Sequence, residues 1–238
     1  MTKYVLCHGA WGGGWGWTRV AAILRGSGHE VFTPTYTGLG ERVHLATPEV
    51  GLQTHIDDVR NVIRYERLDE FVLVGHSYGG MVVTGVADRE WEKISRLVYL
   101  DAFLPADGQS LNDLTGPERT EMTLRAAREH GDGWLVPRPD GSLHPSLSDE
   151  DREWLLTNTC MQPLRTFADA LPLAGNHLNV ADKVYVLSTG YSPSVFPQLA
   201  EWTRTQSDWR TLELPTHHHL HLSMPEETAE LIQGVDPS

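Results

Sequence analysis

The chain has 238 residues, a length that suits one α/β domain with a small inserted subdomain. Forty per cent of residues are hydrophobic and 21% are charged, which supplies a full core and excludes a disordered chain. A formal net charge of −13 repels phosphate backbones and anionic headgroups, so neither nucleic acid nor a membrane surface is expected as a partner. The opening run Tyr4-Val5-Leu6-Cys7 is too short for a signal-peptide core, and no stretch approaches the ~20 apolar residues that span a bilayer. Cys7 and Cys160 have no metal or redox spacing and read as two reduced thiols, so the expected setting is cytoplasmic.

Strand and helix signals alternate through the first hundred residues. An apolar strand over 3–7 ends at His8-Gly9, and residues 17–26 have helical spacing before the stop signals Gly26 and Gly28. A second strand is predicted over 29–34, followed by the turn-rich Thr35-Tyr36-Thr37-Gly38-Leu39-Gly40. Leu52, Ile56, Val59 and Ile63 mark a helical face over 52–65. A short strand over 71–74, a helix over 81–88 and a strand over 97–100 follow. Short, continuously apolar strands between helices predict a parallel sheet covered on both faces.

Between about 104 and 179 the pattern changes. Residues 117–130 and 149–170 read as helices around a loop at 131–145, with no convincing strand. This stretch is expected to be a helical cap over the carboxyl edge of the sheet, the core being 1–103 and 180–238. The sheet resumes with a strand over 183–187, a helix over 196–205 and a last strand over 209–214. A final helix spans 225–233, with Pro225 in its first turn and Glu226 and Glu227 complementing its dipole.

The strongest chemical signal is Gly75-His76-Ser77-Tyr78-Gly79, set between an apolar strand and a helix. Gly-x-Ser-x-Gly in that context is a tight turn that lifts a nucleophilic serine above a sheet, its glycines allowing the close backbone approach the turn needs. Two preorganised N–H donors must then meet the developing oxyanion. The amide of Tyr78 is one candidate. The amide of Ala10, in the glycine-rich loop His8-Gly9-Ala10-Trp11-Gly12-Gly13-Gly14-Trp15, is the other. A phosphate-binding loop is the competing reading of that loop, but the Gly-Lys-Ser/Thr ending is missing.

A general base should follow the last strand, where His217, His218, His219 and His221 compete. Alternating His217, His219 and His221 would face one way if extended, which leaves a metal site as the rival reading. No further ligand cluster in the sequence supports it.

With these residues on the page, the chain resembles the small bacterial esterases of the α/β-hydrolase superfamily, including pyrethroid-hydrolase-like carboxylesterases, with the plant methylesterase and hydroxynitrile lyase group as relatives. The resemblance covers nearly the whole chain. It is carried by His8-Gly9-Ala10-Trp11, Thr37-Gly38-Leu39-Gly40-Glu41-Arg42, Val74 to Met81, and Tyr99-Leu100-Asp101-Ala102-Phe103-Leu104-Pro105. The resemblance implies that the catalytic histidine stands seven residues before the helix-opening Pro225, which selects His218. It also implies an ester hydrolase rather than a lyase, because the lyases carry a threonine where this chain has Gly9 and a lysine where it has His219.

One departure concerns the triad acid. Such enzymes often carry it after the strand matched here by residues 184–187, but Ser188-Thr189-Gly190-Tyr191-Ser192-Pro193-Ser194 contains no carboxylate. Some members of the fold take the acid from the position held here by Asp101, at a strand end on the sheet's carboxyl edge; Asp107 and Asp182 are the weaker candidates. The expectation is therefore a cofactor-free serine esterase with Ser77 as nucleophile, His218 as base and Asp101 as acid, acting on a small, largely apolar ester. Gly9, Trp11, Trp134 and Trp154 are expected to line its pocket. A homodimer is left open. The rivals are a lyase or C–C or lactone hydrolase on the same scaffold, and a non-catalytic binding protein.

Overall fold

The continuously apolar runs become the inner strands of one sheet because both of its faces are covered. In the computed structural model, which describes residues 1–139, 147–190 and 195–235, the side chains of each inner strand alternate between two separate cores. Tyr4, Leu6, Val72, Val74, Val98, Leu100, Val184 and Val186 bury on one face, against Trp17, Leu24, Leu231 and Ile232. Val5, Cys7, Phe71, Leu73, Leu97, Tyr99, Tyr185 and Leu187 bury on the other, against Ile56, Val59, Met81 and Ala200. The period of two that normally separates a wet face from a dry one here separates two dry faces.

The chain begins with β1 (Lys3–Cys7), a 3₁₀ turn at Gly14–Trp17, α1 (Thr18–Gly26) and β2 (Glu30–Phe32). A second 3₁₀ turn, Gly40–Leu45, leads to α2 (Leu52–Tyr65), β3 (Phe71–His76), α3 (Gly79–Glu90) and β4 (Ile94–Leu100). The next stretch holds α4 (Leu111–Thr115), α5 (Pro117–His130), β5 (Leu135–Val136), α6 (Asp149–Asn158), β6 (Gln162–Pro163) and α7 (Arg165–Ala168). The chain then runs through β7 (Lys183–Ser188), α8 (Phe196–Arg204), β8 (Trp209–Leu214), α9 (Leu220–Ser223) and α10 (Pro225–Gln233). Six strands form one sheet in the order β2-β1-β3-β4-β7-β8, and every pairing in it is parallel. Their carboxyl ends therefore share one edge, where a ligand crevice is expected in such a sheet.

Two expectations about residues 104–179 are corrected. The stretch contains strands, since β5 and β6 pair antiparallel with Leu135 opposite Pro163 and Val136 opposite Gln162. The helix expected over 149–170 is broken in the middle. α6 ends at Asn158 and Thr159 is extended, and Pro163, which has no N–H to donate and disfavours helical geometry at Gln162, keeps the helix from resuming there. The loop expected at 131–145 lies partly outside the described residues. Among the described residues no helix is long and apolar enough to cross a membrane.

Candidate active site

Ser77 sits between β3 and α3 with φ 55°, in the left-handed region that an L-residue occupies only under constraint. The turn is tight. A β-carbon on Gly79 would meet the carbonyl oxygens of Cys7 and His8 at 2.7 and 2.8 Å, so only glycine lets β1 and the start of α3 approach this closely. The carbonyl of Ser77 accepts from the amides of Gly80 and Phe103, at 3.0 and 3.1 Å. The half-buried serine lines a cavity of about 570 Å³ together with His218.

Asp101 caps the end of β4 and is fully buried, again with positive φ at 45°. Its amide donates to Val186 at 2.7 Å. One carboxylate oxygen accepts from the Ser188 amide at 3.1 Å, and the other lies 2.6 Å from His218 Nδ1. An ionised carboxylate only accepts, so His218 Nδ1 carries the ring proton and Nε2 is left as the basic nitrogen. The end of β7, without a carboxylate of its own, thus contributes an amide that holds Asp101. The Phe196 ring stacks parallel to the imidazole, 5.2 Å away, and the His218 carbonyl accepts from His76 Nε2 at 2.8 Å. Asp107 and Asp182 are committed elsewhere, the first to the Leu173 amide and the second to Arg96 and Arg210. Tyr191, Ser192, Pro193 and Ser194 lie outside the described residues.

His8, which lines the same cavity, is buried, and desolvation lowers its pKa to about 4. It accepts from the Tyr36 amide through Nε2 at 3.2 Å, so Nδ1 carries the proton and donates to the Gly9 carbonyl at 2.7 Å. That carbonyl and the Ala10 N–H belong to one trans peptide and point in opposite directions. Among the described residues neither the Ala10 nor the Tyr78 amide donates to a protein group. Gly9 lies against Ser77, since a β-carbon there would sit 3.0 Å from His76 Nδ1 and 3.2 Å from Ser77 Cβ.

The four expected pocket residues divide. Gly9 and Trp11 line the cavity. Trp11 is held by its amide on the Gln162 side-chain oxygen and by its indole N–H on the Val136 carbonyl, both at 2.9 Å. Trp134 and Trp154 do not line it, and the expectation is corrected. Trp134 follows α5 in a turn whose backbone bonds to Gly131 and Leu164. Trp154 is 44% exposed on the outside of α6 and packs edge-on against Trp15, which does reach the cavity. The apolar wall comes instead from Phe103, Leu111, Met122, Phe167 and Phe196.

The histidine segment is not extended, because the chain turns into α9 at Leu220. Among the described residues no group of three or more His, Cys, Asp or Glu could hold a metal ion. His219 and His221 line the cavity, and burial pushes the His221 pKa down to about 3. Sequence reasoning missed His76, Gln162 and Phe196 as site residues. His76 stands inside the Gly-x-Ser-x-Gly motif, but its contact with the His218 carbonyl, like those of Gln162 with Trp11 and Phe196 with His218, is made to a distant segment that no local pattern marks.

A profile of the alpha/beta hydrolase family matches residues 4–231. The chain belongs to the alpha/beta hydrolase family. It is 43% identical over 243 aligned positions to a carbendazim hydrolyzing esterase of Nocardioides sp. (strain SG-4G), an alignment covering 99% of this chain and 100% of that protein. Among solved structures, an extracellular alpha/beta-hydrolase from a Paenibacillus species superposes with a TM-score of 0.85 at 24% identity over 100% of both chains. A pyrethroid hydrolase from Sphingobium faniae JZ-2 superposes with a TM-score of 0.70 at 22% identity, over 98% of this chain and 96% of the other. The two structural likenesses speak to the shared fold.

Proposed function

We propose that this hydrolase cleaves small carboxylic esters through an acyl-enzyme on Ser77. The observation that carries the reading is the Asp101–His218 contact of 2.6 Å, in the same cavity as a serine on a strained strand-to-helix turn. The full-length likeness to a protein named as an esterase supports the same reaction class.

The chemistry follows from those positions. Ser77 Oγ attacks the ester carbonyl carbon while His218 Nε2 takes its proton. Asp101 stabilises the imidazolium, and the amides of Ala10 and Tyr78 receive the oxyanion. The tetrahedral species expels the alcohol, which takes the proton back from His218. Water then attacks the acyl carbon with His218 again as base, Ser77 leaves, and the acid is released. No cofactor enters. Residues 104–179 act as the substrate-selecting cap, because α4 and α5 supply much of the cavity's wall, Leu111 and Met122 among it. That wall favours a largely apolar acyl or alcohol group. The cytoplasmic setting belongs to the same reading. Both cysteines are unpaired, and burial pushes the Cys7 thiol up to about 12, out of reach of ordinary oxidation. A homodimer is read directly by sedimentation.

The test is turnover of a p-nitrophenyl ester series of increasing acyl length, with carbendazim added as a substrate. A fluorophosphonate probe followed by peptide mass analysis should label Ser77. Release of an acid and an alcohol, with label on Ser77, is expected. An unlabelled chain that binds esters without turnover would make it a binding protein, and release of a ketone or of cyanide would make it a lyase.

A further inference from the structure

The sequence motif Thr37 to Arg42 has no part in the chemistry above, yet it ends in a buried polar network directly beneath the nucleophile. His55, on α2, is fully buried between Thr37 and Tyr78. Its Nε2 lies 3.0 Å from the Thr37 carbonyl and its Nδ1 lies 2.9 Å from the Tyr78 hydroxyl. A carbonyl can only accept, so Nε2 must carry the ring proton. Burial lowers the imidazole's pKa to about 3 and keeps it neutral, which leaves Nδ1 as a bare lone pair. The Tyr78 hydroxyl therefore donates to it.

The other end is equally directed. Thr37 donates its amide to Asp58 Oδ2 at 2.6 Å and its hydroxyl to Asp58 Oδ1 at 2.9 Å. Arg42 donates to the Thr37 hydroxyl at 2.9 Å and to the Thr35 carbonyl at 2.8 Å, and its Nη1 lies 3.1 Å from Asp58 Oδ1. His55 and Asp58 stand three residues apart on α2, so one helix face holds both ends of the run. Arg42 spreads its donors over the Thr35 carbonyl, the Thr37 hydroxyl and Asp58, and the series ends on the Tyr78 hydroxyl, which the Thr166 side chain also bonds. Tyr78 follows the nucleophile, its side chain is 1% exposed, and its own amide is unspent among the described residues.

We propose that Arg42, Asp58, Thr37 and His55 form a strut that positions Tyr78, holding its ring by the hydroxyl so that its amide is aimed where the oxyanion forms. His55 and the Tyr78 side chain are positioning residues, since neither touches the reacting atoms. The inference rests on the reading of Tyr78 as an oxyanion donor. It matters because such donors act only if they are aligned before the charge develops.

Tyr78→Phe removes one oxygen and leaves the packing. It should lower kcat about tenfold and change KM by less than about twofold, a milder loss than removal of a donor would give. Affinity for phenylboronic acid, whose serine adduct mimics the tetrahedral species, should fall by the same factor. Asp58→Asn, at the half-open end of the strut, should lower kcat about threefold. The double variant should be no worse than Tyr78→Phe alone, because the strut is already cut. A role in stability alone predicts a lower melting temperature with kcat and boronate affinity unchanged within about twofold, and that result overturns the proposal. Additive losses in the double variant overturn it as well. Loss of Ser77 labelling and turnover in the unmodified chain would instead remove the parent reading.

Discussion

Two kinds of histidine stand near Ser77, His8 and His218 in the wall of its cavity and His55 behind Tyr78, and their partners separate them. His218 keeps 15% of its side chain exposed and has a buried carboxylate 2.6 Å from Nδ1. His8 and His55 are sealed in, and each ring is bonded to carbonyl, amide or hydroxyl groups only. A carboxylate beside the ring favours an imidazolium, which is what the proposed role of His218 as base requires. Without one, desolvation dominates and the ring stays neutral with one fixed tautomer. The same side chain thus has a carboxylate partner in one place and serves as a rigid hydrogen-bond connector in the others. What decides between them is the nearest charge.

The comparison can be broken first at Ser77, the group that His218 is proposed to serve. Ser77→Ala should remove hydrolysis by a factor on the order of 10⁶, the scale seen when a nucleophile that works as a unit with its base is lost. The fold should persist, because the hydroxyl packs into nothing that holds the turn. Near-full turnover by this variant, with the melting transition intact, would discard the mechanism.

The next cut removes the charge. Asp101→Asn keeps the shape and the Ser188 contact, yet presents an amide that can donate to His218 Nδ1 and enforce the wrong tautomer. A kcat loss of about 10⁴ is expected, measured by steady-state kinetics on one p-nitrophenyl ester. A loss under tenfold would mean that another group orients the base.

Acid stability sharpens the other half. The folded pKa values of His8, His55 and His221 are lowered to about 4, 3 and 3, below the ~6.5 of an unfolded chain. Between those values the unfolded state binds more protons, so stability rises with pH there. It is fully present above about pH 6.5 and drains away as pH falls towards 3 to 4, at about 1.4 kcal/mol per pH unit for each group once below 6.5. Urea midpoints measured from pH 7.5 to 4.5 should fall steadily. A flat profile across that window would mean that these rings take up protons as readily in the folded protein as in the unfolded chain.

The smallest effect belongs to His217, which bonds the His219 amide through Nδ1 and does not line the cavity. His217→Ala should change kcat by less than about threefold, and EDTA should change it not at all. Activity lost to the chelator and restored by zinc would revive the metal reading.

Strands, elbow and connectors were legible in the sequence to different degrees, for a physical reason. Burial on both faces writes itself into each strand as an unbroken apolar run, and the Gly-x-Ser-x-Gly turn announces itself through local steric need. Pro225 opens α10 as its position suggested, and the expected helices over 52–65 and 117–130 form with those bounds. These signals are local, so the chain order of residues determines them. The β5–β6 pair was invisible because two-residue strands have no period to detect. The pocket wall escaped because a tryptophan looks the same whether it faces the cavity, as Trp11 does, or solvent, as Trp154 does. The approach of Asp101 to His218 spans 117 positions, and that of His55 to Tyr78 joins a helix to a turn 23 positions away. Only the pairing of β4 with β7 and of β7 with β8, and the packing of α2 against α3, bring those partners together, and no local pattern in the sequence encodes a distance between segments that meet in the fold.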